Sequence, residues 1–383
     1  MRRIPQLDGL RGIAIGLVVL HHYIYQFRAP MPETLATIVY PVAGWGWSGV
    51  DLFFVLSGFL IGGILVDARE SENYYATFYT RRAFRILPLY ALLVAVGFLL
   101  VQLGEHAGAR MSSISLNPAP WLYYLTFTQN FYFGNHVDKL SYLQITWSLA
   151  VEEQFYLTLP LLVRKLNRDR LLALSLGMVV FFGVLRSVLY WKGLINPMQS
   201  YILPFCRFDS LFIGVACAMM WRNERCVAWL KKSSRSLVVA TAVLGTIFLF
   251  MDHSLWAKNI FLHTAGFTLI GLFYAAWMML VLIRPDYRIS RGLSCKPLMW
   301  LGKVSYCLYL IHGSALIIVD WLLRKAMGAS ELQMWLAILL GSALVLLLAH
   351  GSWAAFESRL IAFGHKFSYE GSNVLEPQVN QRA

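Results

Sequence analysis

The chain has 383 residues, 58% of them hydrophobic and only 14% charged, with a mean hydropathy of +0.57. A soluble domain runs at roughly 45–50% apolar and about 25% charged, so a water-soluble globule is excluded, and no long polar stretch is left over to form one. The net charge of +13 comes from 33 Lys+Arg against 20 Asp+Glu. The basic residues cluster between apolar runs, which points to orientation in a membrane and to no nucleic-acid partner.

In chain order, the basic start (Arg2, Arg3) leads into an apolar run that Arg11 interrupts and no small-residue cleavage site follows. It reads as a retained first helix, not a signal peptide. Spanning the hydrocarbon core takes about 20 mostly apolar residues. Ten stretches qualify: 10–28, 42–66, 84–103, 145–163, 171–190, 203–221, 237–251, 260–283, 299–321 and 332–356. The aromatic stretch 120–133 reads as an interfacial or re-entrant helix. With the N-terminus in the cytoplasm, the loops and tails carry 22 Lys+Arg on the inner side, Arg85 at the edge of its span included, and 7 on the outer, Arg28 included, the asymmetry of the positive-inside rule. The fold expected is all-α: a polytopic integral membrane bundle of about ten transmembrane helices with both termini cytoplasmic. Residues 1–366 form the membrane domain and 367–383 a flexible cytoplasmic tail. The five cysteines (Cys206, Cys217, Cys226, Cys295, Cys307) have no CxxC spacing, so neither a disulfide framework nor a zinc site is expected.

Ionisable groups at bilayer depth cost at least about 2.5–3.5 kcal/mol, so they face a protein interior or a wet cavity and mark function. Arg11 opens the first span, and His22 lies about 16 Å further along the helix at about 1.5 Å per residue. His22, Glu152, Arg207, Asp209 and His312 fall in the middle-to-outer half, while Arg81, Arg82 and Arg85 sit at the cytoplasmic mouth. Guanidinium forks suit a phosphorylated donor, and an imidazole among carboxylates suits general-base work on a hydroxyl. The same buried His, Glu and Arg would also serve a proton-coupled or glycan transporter. Each residue has a structural reading as well. Arg11 is placed to snorkel, Glu152 to pair with Arg207, and Arg207 and Asp209 to neutralise one another. Ser57 and Gly58 suit close backbone packing, and Trp147 suits the aromatic belt.

The stretches LDGLRGIAIGLVVLHH (7–22), GVDLFFVLSGFLIGG (49–63), FYTRRAFRILPLY (78–90), TWSLAVEEQFYLTLP (146–160), FCRFDSLFIG (205–214) and LGKVSYCLYLIH (301–312) occur in the order seen in the acyltransferase 3 family of membrane O-acyltransferases. The chain resembles that family from about Asp8 to Phe363. The resemblance assigns the arginine–ten residues–histidine pattern to Arg11 and His22, the arginine pair of the third span to Arg82 and Arg85, the serine–glycine turn to Ser57 and Gly58, and the span-4 glutamate to Glu152. It implies a catalytic group of His22, Arg11 and Glu152, and a donor site at Arg82, Arg85, Ser57 and Gly58. Acceptor contacts are expected from Trp147, Arg207, Asp209, Tyr309 and His312. The donor implied is acyl-CoA, acetyl-CoA foremost, with no metal. The acceptor implied is a hydroxyl on a bacterial surface polysaccharide, lipopolysaccharide, peptidoglycan or similar glycan. Many relatives carry an extracytoplasmic hydrolase-like domain, absent from this sequence, so either the membrane domain modifies the acceptor itself or a separate extracytoplasmic transferase or polysaccharide-assembly partner does. The location implied is the bacterial inner membrane, with lipids as neighbours.

Overall fold

The computed structural model describes residues 4–106, 119–136, 143–250 and 259–371. Among them there is no strand. The principal helices are α1 (Pro5–Leu20), which runs on into a π-helical turn at His21–Gln26, α2 (Gly49–Asp67), α3 (Tyr74–His106), α4 (Trp147–Lys165), α5 (Arg168–Trp191), α6 (Phe208–Trp221), α7 (Ser234–Phe250), α8 (Phe267–Ile283), α9 (Lys296–Met327), α10 (Glu331–Ser352) and α11 (Ser358–Gly364).

Each of the ten expected spans overlaps one of α1–α10. Among the described residues seven helical stretches are long and apolar enough to cross a membrane, or eight if the pair Glu224–Lys232 and Ser234–Leu249, bent by 75°, forms one span. Two of the expected spans, at α4 and α6, fall outside both counts for identifiable reasons. α4 carries Glu152, Glu153, Arg164 and Lys165. α6 has only 14 residues, because Pro204 and a short 3₁₀ turn interrupt the chain before it. On α5, Leu176, Val180, Val184 and Val188 form an outward stripe at four-residue spacing, each about half exposed, as contact with lipid requires. The protein is a multi-pass membrane protein.

Three local expectations change. α3 begins at Tyr74, ten residues before the expected span, so Arg81 and Arg82, which preceded that span, belong with Arg85 to the body of a helix. The stretch 120–133 is two short helices, Trp121–Leu125 and Gln129–Asn135, separated by a turn at which Phe127 adopts a φ of 53°. Phe367–Tyr369 pack back on α3, with Tyr369 buried; the rest of the expected tail, 372–383, lies outside the described residues.

Lipid removes the hydrophobic drive for helix association, so close packing between small residues takes its place. At two of the crossings a glycine on each helix brings the backbones into contact. Between α1 and α9, a Cβ on Gly12 would lie 2.2 Å from the Leu298 carbonyl oxygen, and one on Gly302 would lie 1.9 Å from that of Asp8. Between α2 and α6, a Cβ on Gly58 would meet the Leu211 carbonyl at 2.0 Å, and one on Gly214 would meet that of Val55 at 2.2 Å. The first crossing sets Arg11 beside Ser305. The second fixes the rotation of α2 and turns Ser57 toward α4.

Candidate active site

A cavity of about 460 Å³ lies among α1, α2, α3, α4, α9 and the C-terminal segment. Each helix lines it with one face: Ser148, Glu152 and Tyr156 on α4, Phe53, Ser57 and Ile61 on α2, and Ser305 and Tyr309 on α9, all at four-residue spacing, which stacks side chains on one side of a helix. α1 adds Asp8 and Arg11, and α3 adds Phe78, Arg81, Arg82 and Arg85. The helix registers agree on the order along the cavity. Arg81 and Arg82 stand at one end, Arg11, Ser57, Glu152, Tyr156 and Ser305 in the middle, and Ser148 and Tyr309 at the other end.

The middle section is polar and cross-linked. Arg11 Nη2 donates to Ser305 Oγ at 3.3 Å, and Ser305 donates to the Gly302 carbonyl at 2.9 Å. The Ser57 and Tyr156 hydroxyls hydrogen-bond to each other, and Glu152 sits beside both, in the field of Arg82 and Arg11. The Arg82 guanidinium lies 5.4 Å from the centre of the Tyr156 ring, within cation–π range. At the far end the Tyr309 hydroxyl bonds to Ser148 Oγ at 2.7 Å and donates to the Ile145 carbonyl at 3.1 Å.

Beyond Tyr309 stand two imidazoles. The His312 ring centre is 5.9 Å from that of Tyr309, and the His22 ring centre is 4.7 Å from that of His312 at 72°. Each ring holds a main-chain carbonyl through Nδ1, His22 to Val18 at 2.8 Å and His312 to Tyr309 at 2.7 Å. A carbonyl only accepts, so Nδ1 carries the hydrogen and Nε2 of the neutral ring keeps its lone pair. His312 is fully buried and its Nε2 has no protein partner. His22 occupies the π-helical turn, a local distortion frequent at functional sites. Gly46 makes room there, since a Cβ would lie 2.2 Å from the Leu17 carbonyl oxygen. Tyr23, on the same turn, donates to the His312 carbonyl at 2.8 Å and ties it to α9.

The expected residues therefore separate into groups. Arg11, Ser57, Arg82, Arg85, Glu152 and Tyr309 share the cavity. His22 and His312 face each other but do not line it, so the single passage expected from Arg82 to His22 stops at Tyr309. Gly58, expected with Ser57 at the donor, instead faces the backbone of α6. Arg207 and Asp209, expected at the acceptor, are fully buried away from the cavity in two ion pairs, Arg207 with Asp51 and Arg186 with Asp209 at 2.7 Å. Arg207 thus pairs with Asp51, not with Glu152 or Asp209. Trp147 packs against Phe54 and Tyr201 within the apolar core. Sequence reasoning passed over Ser148, Tyr156 and Ser305. Their signal was present in the spacing, one turn either side of Glu152 and one turn before Tyr309. It also passed over His365 and Tyr369, which line the cavity from the C-terminal segment.

A multi-pass helical bundle that encloses arginines, a carboxylate and imidazoles at membrane depth defines a membrane protein with an internal polar site. Residues 4–351 match the family model described as an acyltransferase domain, and the chain belongs to that acyltransferase 3 family. It is 28% identical over 351 residues to the O-acetyltransferase OatA of Staphylococcus aureus strain NCTC 8325, covering 83% of this chain and 51% of that protein. It is 27% identical over 321 residues to the peptidoglycan O-acetyltransferase OatA of Listeria monocytogenes, covering 81% of this chain and 49% of that one. The chain spans about half the length of the curated relatives it matches. No solved structure matches it. Both relatives are named as O-acetyltransferases, which lends no support to the transporter reading.

Proposed function

We propose that the chain is a membrane O-acyltransferase that moves an acyl group, acetyl foremost, from acyl-CoA to a hydroxyl of a cell-surface glycan. Peptidoglycan is the first acceptor to test, from the name of the Listeria relative. In this reading α1–α10 are ten spans of the inner membrane, the termini are cytoplasmic, and the Arg81–Arg82 end of the cavity opens inward. One observation carries the reading: a single cavity has three arginines toward one end and, one aromatic ring beyond its other end, two imidazoles with bare Nε2 atoms.

The donor's phosphates pair with Arg82 and Arg85 through charge-assisted hydrogen bonds, and its thioester arm runs past Arg11 toward Tyr309. Tyr309 swings away from Ser148 to let the thioester carbonyl meet the acceptor hydroxyl beside His22. His22 Nε2 takes the hydroxyl proton as the oxygen attacks the carbonyl. The carbon–sulfur bond breaks, and the proton passes to the departing thiolate, so free CoA and the O-acyl glycan are the products. Glu152, among Arg11, Ser57 and Tyr156, balances positive charge along the path.

The test is mass analysis of glycan from a deletion strain, together with thiol release from acetyl-CoA by the purified chain in nanodiscs. One acyl mass is lost from a surface saccharide on deletion and returns with the wild-type gene but not with His22→Ala. An unchanged glycan, or full activity in His22→Ala, sinks the proposal.

A further inference from the structure

The family match ends at residue 351, yet the cavity has a wall built by residues after it. α11 and the segment behind it fold over α3 at the arginine end. Four kinds of contact hold them there. Arg81 Nε donates to the Phe367 carbonyl at 2.7 Å. Asn73 clasps the backbone from both sides, donating to the Ser368 carbonyl at 2.9 Å and accepting from the Glu370 N–H at 3.0 Å. Phe84 stacks near Phe363 and Phe367, with ring centres 4.9 and 6.3 Å away. Gly364 packs so closely that a Cβ would lie 3.1 Å from Phe84 Cβ. A disordered tail does not use a two-sided main-chain clasp and three aromatic rings.

This strap delivers two side chains with recognition chemistry, His365 and Tyr369, to the cavity beside Arg81 and Arg82. Tyr369 is 7% exposed, and the Arg81 guanidinium lies 4.9 Å from the centre of its ring. Phosphate alone is served by guanidinium groups. An aromatic ring held on the same wall adds a surface for a flat base, and base–aromatic stacking tolerates any base because it reads the π-face. Leu60, Ile61 and Phe53 line the cavity as well, an apolar surface that suits a linear arm and not a second base.

We infer that the C-terminal strap is the nucleotide-recognition element of this site: Tyr369 packs on the base of a phosphorylated nucleotide thioester, His365 faces its phosphates, and Asn73 positions both by clasping the strap. The inference rests on the acyl-CoA reading above and adds a donor contact from outside the family-matched span.

Binding by the full chain in phosphatidylcholine nanodiscs tests it by calorimetry, with CoA, adenosine 3′,5′-bisphosphate and pantetheine as probes. Tyr369→Ala weakens both nucleotides about tenfold, within the range for loss of one base–aromatic stack, and leaves pantetheine unchanged. Tyr369→Phe keeps the ring and retains nucleotide affinity, which a misfolded chain does not. Asn73→Ala, at a residue outside the cavity lining, also weakens the nucleotides and spares pantetheine. CoA bound equally by wild type, Tyr369→Ala and Asn73→Ala overturns this inference alone, as does equal loss in Tyr369→Phe and Tyr369→Ala. Failure of the unaltered chain to bind CoA overturns the donor reading and this inference together.

Discussion

His21 and His22 are adjacent in sequence and do different things. His21 bonds the Ala43 carbonyl through Nδ1 at 3.1 Å and stacks on Tyr25. His22 turns toward His312 with Nε2 bare of any main-chain claim. General-base catalysis contributes about 10²–10⁴-fold, so under the proposed mechanism His22→Ala lowers acyl transfer by at least about 100-fold while CoA affinity, which the proposal assigns to the arginine end, stays within twofold (roughly, as expected for sites without shared partners). Rate and binding assays on the same nanodisc sample separate the two effects. Asp51 and Arg207 are each fully buried in one ion pair. Asp51→Ala leaves an uncompensated guanidinium and destabilises the fold by about 3–5 kcal/mol, read as a lower melting temperature in detergent. Arg207→Met in that background recovers much of the loss. Sequence reasoning singled out Arg207 but not its pairing with Asp51, because the two lie 156 positions apart.

At the scale of helices, the polar faces were legible and the crossings were not. Four-residue spacing puts Ser148, Glu152 and Tyr156 on one side of α4 whatever it packs against. Gly58 was expected at the donor because the resemblance places a serine–glycine turn at Ser57 and Gly58, yet helical geometry turns consecutive residues about 100° apart, and of the two Ser57 lines the cavity. Gly58 and Gly302 instead permit the two backbone crossings. Adding one methyl forces a carbonyl at 1.9–2.0 Å to retreat, and such overpacking costs about 1–3 kcal/mol or more. Gly302→Ala therefore lowers thermal stability and separates Arg11 from Ser305, whereas Gly313→Ala on the same helix, with open space around it, leaves the melting temperature unchanged. Differential scanning fluorimetry on both variants checks this.

For the whole molecule, orientation is set by charge and has a direct chemical test. Three of the five cysteines are buried and Cys295 is exposed, in the loop between α8 and α9 that the basic-residue count assigns to the cytoplasm. A membrane-impermeant maleimide therefore modifies Cys295 in inverted vesicles and not in intact cells or spheroplasts. Labelling in the reverse pattern overturns the orientation, and with it the inward-opening cavity.

The sequence by itself determined that this is a helical membrane protein, where its apolar segments lie, and which polar residues each helix must hide. Lipid imposes those constraints on each segment separately: every backbone group must be satisfied within its own helix, and every ionisable group must leave the lipid-facing side. Tertiary structure alone decided which hidden faces meet. The cavity's closure at Tyr309, the pairing of Arg207 with Asp51, the His22–His312 contact and the strap at Arg81 all depend on the rotation and depth of one helix against another. Those are fixed by contacts between segments far apart in the chain (Gly12 with Gly302 among them), and no periodicity within a single segment records them.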